Sequence, residues 1–179
     1  MESKFPTSSV IVEQLKNKFI LDIISDEDIV DAIDSPDRYT EGWQPIFLKH
    51  GLASKNSGFT PLIYDFKKFP GTIEQVITFL FVLVHIPTMY GETKVALKPS
   101  VEVYIISHID HMIVDDPTVK ANRNDHIAKL IKKKFNRNIG LGYDFSLESE
   151  YEDSYNEKFI FRRLTFTCVS FNQDKLCNE

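Results

Sequence analysis

SVEVYIISHIDHMIVDDPTVKANRNDHIAKLIKKKF, residues 100–135, is the stretch that decides the fold class. Its first half alternates over residues 101–114. Val101, Val103, Ile105, Ser107, Ile109, His111 and Ile113 fall on one face, and Glu102, Tyr104, Ile106, His108, Asp110 and Met112 on the other, the period of a strand. Pro117 fixes φ and closes the strand pattern. The second half, residues 125–135, changes period. Ile127, Leu130, Ile131 and Phe135 form an apolar stripe at helical spacing, with Lys129, Lys132, Lys133 and Lys134 around it. Asp125 is the expected cap or first-turn acid.

Working outward, residues 74–86 are nearly continuously apolar, the composition of a strand buried on both faces. An antiparallel partner lies ready in residues 101–114. Downstream, Gly140 and Gly142 break the chain, and residues 143–151 and 158–171 read as a hairpin with an acidic tip. Strict alternation puts Tyr143, Phe145, Leu147 and Tyr151 on one face. It puts Asp144, Ser146, Glu148, Glu150 and Glu152 on the other, which must then be wet. The last strand is apolar on both faces and reads as central, with a bulge expected at Arg162-Arg163.

Upstream, residues 1–8 read as a loose arm. Ile11, Leu15, Phe19 and Ile23, with Val12 and Ile20, predict an amphipathic helix capped by Ser8 or Ser9. A second short helix starts at Ser25 or Asp26, with acids in its first turn and Ile29, Val30 and Ile33 on its apolar side. Ser35-Pro36 ends it. Residues 37–72 show no period but carry Trp43, Ile46, Phe47, Leu48, Phe59 and Phe66. Such a segment reads as functional or interfacial, or as a meander over the core. The expected architecture is α+β: an antiparallel sheet with N-terminal helices and one amphipathic helix packed on it. It forms a single domain over residues 1–179, divided into a helical arm (1–36), an irregular interface segment (37–72) and a sheet-and-helix core (73–179).

The 179 residues suffice for one buried core. Fourteen Phe and seven Tyr against one Trp point to a sheet-rich interior. A formal charge of −5 argues against a dedicated nucleic-acid binder. Cys168 falls in an apolar strand and Cys177 in a polar tail, which leaves a disulfide open and favours a reduced cytosolic pair. The N-terminus has no apolar core of a signal peptide, and the most apolar run, residues 76–86, is too short to span a bilayer as a helix. The expectation is a soluble intracellular protein without membrane contact.

No G-x-S-x-G, Walker, G-x-G-x-x-G or C-x-x-C pattern occurs. His108-Ile109-Asp110-His111 matches part of the H-x-H-x-D-H signature of metallo-β-lactamases, but Ile106 replaces the first histidine. His126, on the following helix, is the only histidine downstream. On a continuous strand His108 and His111 point to opposite faces, whereas zinc catalysis needs three convergent ligands. The plainer reading is strand-end histidines, one outward and one against an aromatic. His85, in the most apolar strand, reads as a satisfied core histidine. The lysines at 129–134 read as a solvated helix face or as phosphate contacts. The acids Glu148, Glu150, Glu152 and Asp153 are opposite in sign to them. Pairing between the two across neighbouring subunits would set register more than affinity.

Taken in order, the chain resembles the ring-forming neck and tail-completion proteins of tailed bacteriophages, the group of tail terminators and head–tail connectors. The resemblance rests on an N-terminal helix with a short acidic-capped partner, an irregular aromatic segment and two long strands. It continues in a helix entry with Arg123 and Asp125 in ANRNDHIAKLI, and a closing FIFRRLTFTCVSFN at residues 159–172. It implies a structural virion protein without catalysis or cofactor. Copies would form a homo-oligomeric ring between portal, neck or tail proteins, passing DNA without sequence-specific binding. Lys129, Lys132, Lys133, Glu148, Glu150, Glu152, Trp43 and Phe47 are then the candidate interface or lumen residues. Two alternatives stand beside it: a metal-dependent hydrolase on His108, Asp110, His111 and His126, and a nucleic-acid module using the helix at Lys129–Lys134.

Overall fold

The computed structural model describes residues 8–34, 47–48, 62–68, 75–86, 98–136 and 143–171. Its helices are α1 (Ser8–Ile24), α2 (Glu27–Ile33) and α3 (Arg123–Phe135). Its strands are β1 (Phe47–Leu48), β2 (Ile63–Tyr64), β3 (Thr78–His85), β4 (Ser100–His108), β5 (Tyr143–Ser154) and β6 (Phe159–Phe171). The six strands form one sheet in the order β1-β2-β3-β4-β6-β5. The four long strands are antiparallel, while the two-residue strands β1 and β2 join β3 in parallel. The fold is α+β, as the alternating patterns predict.

The helices pack on the sheet face that carries Val101, Val103, Ile105, Leu164 and Phe166. Phe19 on α1 is the centre of that core. It stacks on Phe135 of α3, with ring centroids 4.3 Å apart and planes 13° apart, and meets Phe145 edge-on at 5.6 Å. Ile11, Leu15, Phe19 and Ile23 are all buried, as their four-residue spacing requires. Asp26 caps α2, its carboxylate accepting from Ile29 N–H. Asp34 ends that helix at φ 51°, in the left-handed region that aspartate tolerates better than most residues.

Several boundaries differ from the sequence pattern. β4 stops at His108, not at residue 114. The His108 Nδ1 accepts from Asp110 N–H at 3.2 Å, and residues 109–111 turn into a single 3₁₀ turn. A side chain that satisfies a nearby backbone donor competes with the ladder and ends it. α3 begins two residues early because Asn122, not Asp125, is the cap: its Oδ1 accepts from Asp125 N–H at 2.8 Å. Register is regular at Arg162 and Arg163, against the expected bulge. Two irregularities lie elsewhere: Val169 is the extra residue in β6, between Cys168 and Ser170, and Glu148 is the extra residue in β5, between Leu147 and Ser149. An extra residue reverses which side chains point to which face. Tyr143, Phe145 and Leu147 therefore face the helices while Tyr151 faces away, and Glu150 and Glu152 turn toward α3. Gly140, Gly142 and Cys177 lie outside the described residues; Cys168 is buried in β6.

Candidate functional site

The lysine helix and the acidic hairpin meet within one chain. Because Glu150 and Glu152 share a face with Arg162, the guanidinium reaches Glu150 at 2.5 Å and Glu152 at 2.7 Å, and also pairs with Asp125 at the start of α3. Lys132 adds a 2.8 Å contact to Glu150, and Lys134 one of the same length to Asp26 across α2. Burial alone would raise the Glu150 carboxyl, but Lys132 and Arg162 outweigh it and hold it below the usual carboxylate range. Asp26 is lowered in the same way, its burial offset by Lys134 and Ile29 N–H. So Lys132, Glu150 and Glu152, expected to pair across subunits, are engaged internally. Lys129 and Lys133 stay exposed and make no ion pair among the described residues.

The opposite face of the sheet carries an aromatic row. Tyr64, Phe81, Tyr104, Arg163 and Tyr151 are cross-strand partners in a single register line through β2, β3, β4, β6 and β5. Phe81 stacks on Tyr104 at 4.4 Å, and the Arg163 guanidinium lies 5.6 Å over the Tyr151 ring, a cation–π geometry. Glu102 anchors the row's polar end. It accepts from the Tyr104 hydroxyl at 3.2 Å, lies 3.1 Å from His85 Nε2 and 3.6 Å from Arg163 Nη1. His85 is thus a half-exposed strand-end group and not the core histidine its apolar neighbours suggest, because β3 reaches the rim of the sheet at that residue. The row ends at β5, which closes the sheet. Residues 148–154 of β5 are all exposed, and no strand among the described residues pairs with its outer margin.

The metal candidates do not converge. The His108 ring meets Phe159 edge-on at 5.1 Å, the predicted aromatic contact, and its Nδ1 is engaged with Asp110 N–H. His111 does not point outward; it lies 2.9 Å from the Thr78 hydroxyl through Nδ1 and 3.9 Å from Asp34 through Nε2. His126 sits on α3. No group of three or more His, Cys, Asp or Glu among the described residues is arranged to hold a metal ion.

What surrounds His111 is a buried polar chain that sequence pattern does not reveal. The Ser107 hydroxyl donates to Asn124 Oδ1 at 2.6 Å, and Thr78 Oγ1 lies 2.7 Å from Ser107. One hydrogen per hydroxyl orders the chain: Thr78 donates to Ser107, and His111 Nδ1–H donates to Thr78. Burial and the Arg123 charge together push the pKa of this imidazole down. Arg123 beside it is 4% exposed and donates to His111 O, Ala32 O, Ile113 O and Asp34 Oδ2. The arrangement locks α2, α3 and the end of β4 together. Thr78, at 1% exposure, presents no accessible nucleophile.

Trp43 lies outside the described residues. Phe47 is placed in β1 at the far edge of the sheet. No helix among the described residues is long and apolar enough to cross a membrane.

Residues 26–168 match the model of the YomW family, and the chain belongs to that family. No curated protein gives a significant match.

Proposed function

We propose that this YomW-family chain is a structural protein whose copies associate head to tail into a closed ring, as a connector or terminator at the neck of a tailed-phage virion. The observation that carries the proposal is the margin of β5, residues 148–154, exposed along its length and last in the sheet. An edge strand offers a row of N–H and C=O groups ready to pair. Two such margins cannot pair with each other favourably, because Glu148 and Asp153, which no ion pair among the described residues takes up, would set like charge against like. An interface through this margin is therefore heterologous, and repeated heterologous contacts close into rings or run on as filaments. The exposed Lys129 and Lys133 supply the opposite charge on the neighbouring copy, with Trp43 and Phe47 assigned to the same contact.

Light scattering after size exclusion, with negative-stain microscopy of the full chain, tests the reading. The expected particle is a ring of one closed stoichiometry, or gold-labelled chain at the neck of purified virions where the isolated protein stays monomeric. Lys129→Glu with Lys133→Glu should abolish assembly, and added Glu148→Lys with Asp153→Lys should restore it. A chain that neither oligomerises nor labels a neck, or charge reversals that leave assembly untouched, would overturn the proposal.

A further inference from the structure

One end of the sheet presents a second surface, independent of the ring reading. Three connections meet there: residues 75–77 entering β3, residues 109–113 leaving β4, and residues 155–158 between β5 and β6. Backbone hydrogen bonds tie them together. His108 N–H donates to Ile77 O at 3.1 Å, Ile109 N–H to Lys158 O at 2.8 Å, and Tyr155 N–H to Phe159 O at 2.8 Å. Each connection leaves a large apolar side chain in water: Val76 at 47% exposure, Ile109 at 44%, Ile113 at 76% and Tyr155 at 38%. Single exposed apolar residues are ordinary, but a group of them ringed by charge marks an interaction site. The exposed charges on and just beyond these connections are mostly acidic: Asp110, Asp115, Asp116 and Glu157, against Lys120 and Lys158.

We propose that this end docks a basic amphipathic segment of a partner protein. Its apolar side chains would cover Val76, Ile109 and Ile113, and its flanking Lys or Arg would face Asp110, Asp115, Asp116 and Glu157. Charge decides the occupant. A second copy of this chain, meeting the patch through the same end, brings an identical acidic rim and is repelled. A basic segment gains the burial of the isoleucines and neutralises the rim, which steers its encounter as well.

The test uses the full chain and a fluorescein-labelled amphipathic peptide built only of Leu and Lys at helical spacing, with a Leu/Glu peptide of the same pattern as control. Anisotropy should show the Leu/Lys peptide binding at least about tenfold more tightly than the control. Ile113→Ser should weaken it by about tenfold, the worth of one buried isoleucine. Asp115→Lys with Asp116→Lys should weaken it comparably and flatten its salt dependence. Leu21→Ser, at a similarly exposed apolar residue on α1, should change nothing. Equal binding of both peptides, or equal loss on Leu21→Ser and Ile113→Ser, would overturn the proposal. So would self-association that Ile113→Ser abolishes. The ring-disrupting Lys129→Glu/Lys133→Glu protein should keep this binding, so the two proposals fail separately.

Discussion

Replacing Arg123 with alanine removes donors from four acceptors at once. The side chain is 4% exposed, and its nitrogens lie 2.6 Å from His111 O, 2.8 Å from Ala32 O, and 3.1 Å from both Ile113 O and Asp34 Oδ2. The Asp34 carboxylate, half exposed, can recover water. The Ala32 carbonyl is buried and the other two are partly so. At about 1 kcal/mol or more for each acceptor left without a donor, the loss is about 3 kcal/mol, rising toward about 5 if the carboxylate stays partly desolvated. Arg123→Lys should recover less than half, because an ammonium cannot reproduce the planar fork. Urea unfolding of the full chain followed by circular dichroism measures this. With a slope of about 2 kcal/mol per molar, the midpoint should fall by about 1.5 M with the slope unchanged. Amide exchange should also quicken in α2, which Arg123 holds through Ala32 O. A midpoint shift below about 0.5 M would mean that the acceptors find water and that Arg123 is not the lock described above.

Three further outcomes follow from the packing and the titrating groups. Phe19→Ala should cost about 3–5 kcal/mol in the same unfolding experiment, since its ring contacts Phe135, Phe145 and Phe166 together. Asn122→Ala should cost about 1 kcal/mol through the lost α3 cap, and Asn122→Asp should cost much less. Burial and Arg123 hold His111 below its ordinary value of 6.5, so as the pH falls the unfolded chain takes up the proton first. The stability this histidine contributes is therefore complete above that value and drains away as pH drops through it toward the folded pKa. Urea midpoints measured from about pH 8 down to pH 5 should decline below about 6.5, and His111→Gln should flatten that part of the slope.

How much of this was legible in the sequence differs from element to element, for physical reasons. The buried stripe of α1, the Asp26 cap and the central position of β6 are local or periodic properties, and periodicity carries them. The end of β4 was not legible, because Ile109, His111 and Ile113 continue the alternation past the point where the His108 side chain captures a backbone N–H. The displaced bulge was hidden for a related reason. The two arginines that break the apolar alternation of β6 are polar residues in regular register, and the true irregularities, at Glu148 and Val169, carry no Gly or Pro to announce them. The Arg123 lock was invisible because Ala32 and Asp34 lie about ninety positions away along the chain. The charge complementarity of helix and hairpin was visible, but its reading between subunits was not safe: one reversed face brings Glu150 to Lys132 inside the same molecule.

That extra residue at Glu148 works as a parity device. Before it the odd-numbered residues Tyr143, Phe145 and Leu147 face the helices; after it the even-numbered Glu150 and Glu152 do. Removing its single codon would restore plain alternation and leave Ser149 to Ser154 on their present sides, because Leu147 already opposes Phe166 and Ser149 already opposes Thr165. Tyr151 would stay on Arg163, and Arg162 would keep both hairpin carboxylates. Alignments of this family should therefore read a gap at this position as the loss of a local kink and not as a change of orientation.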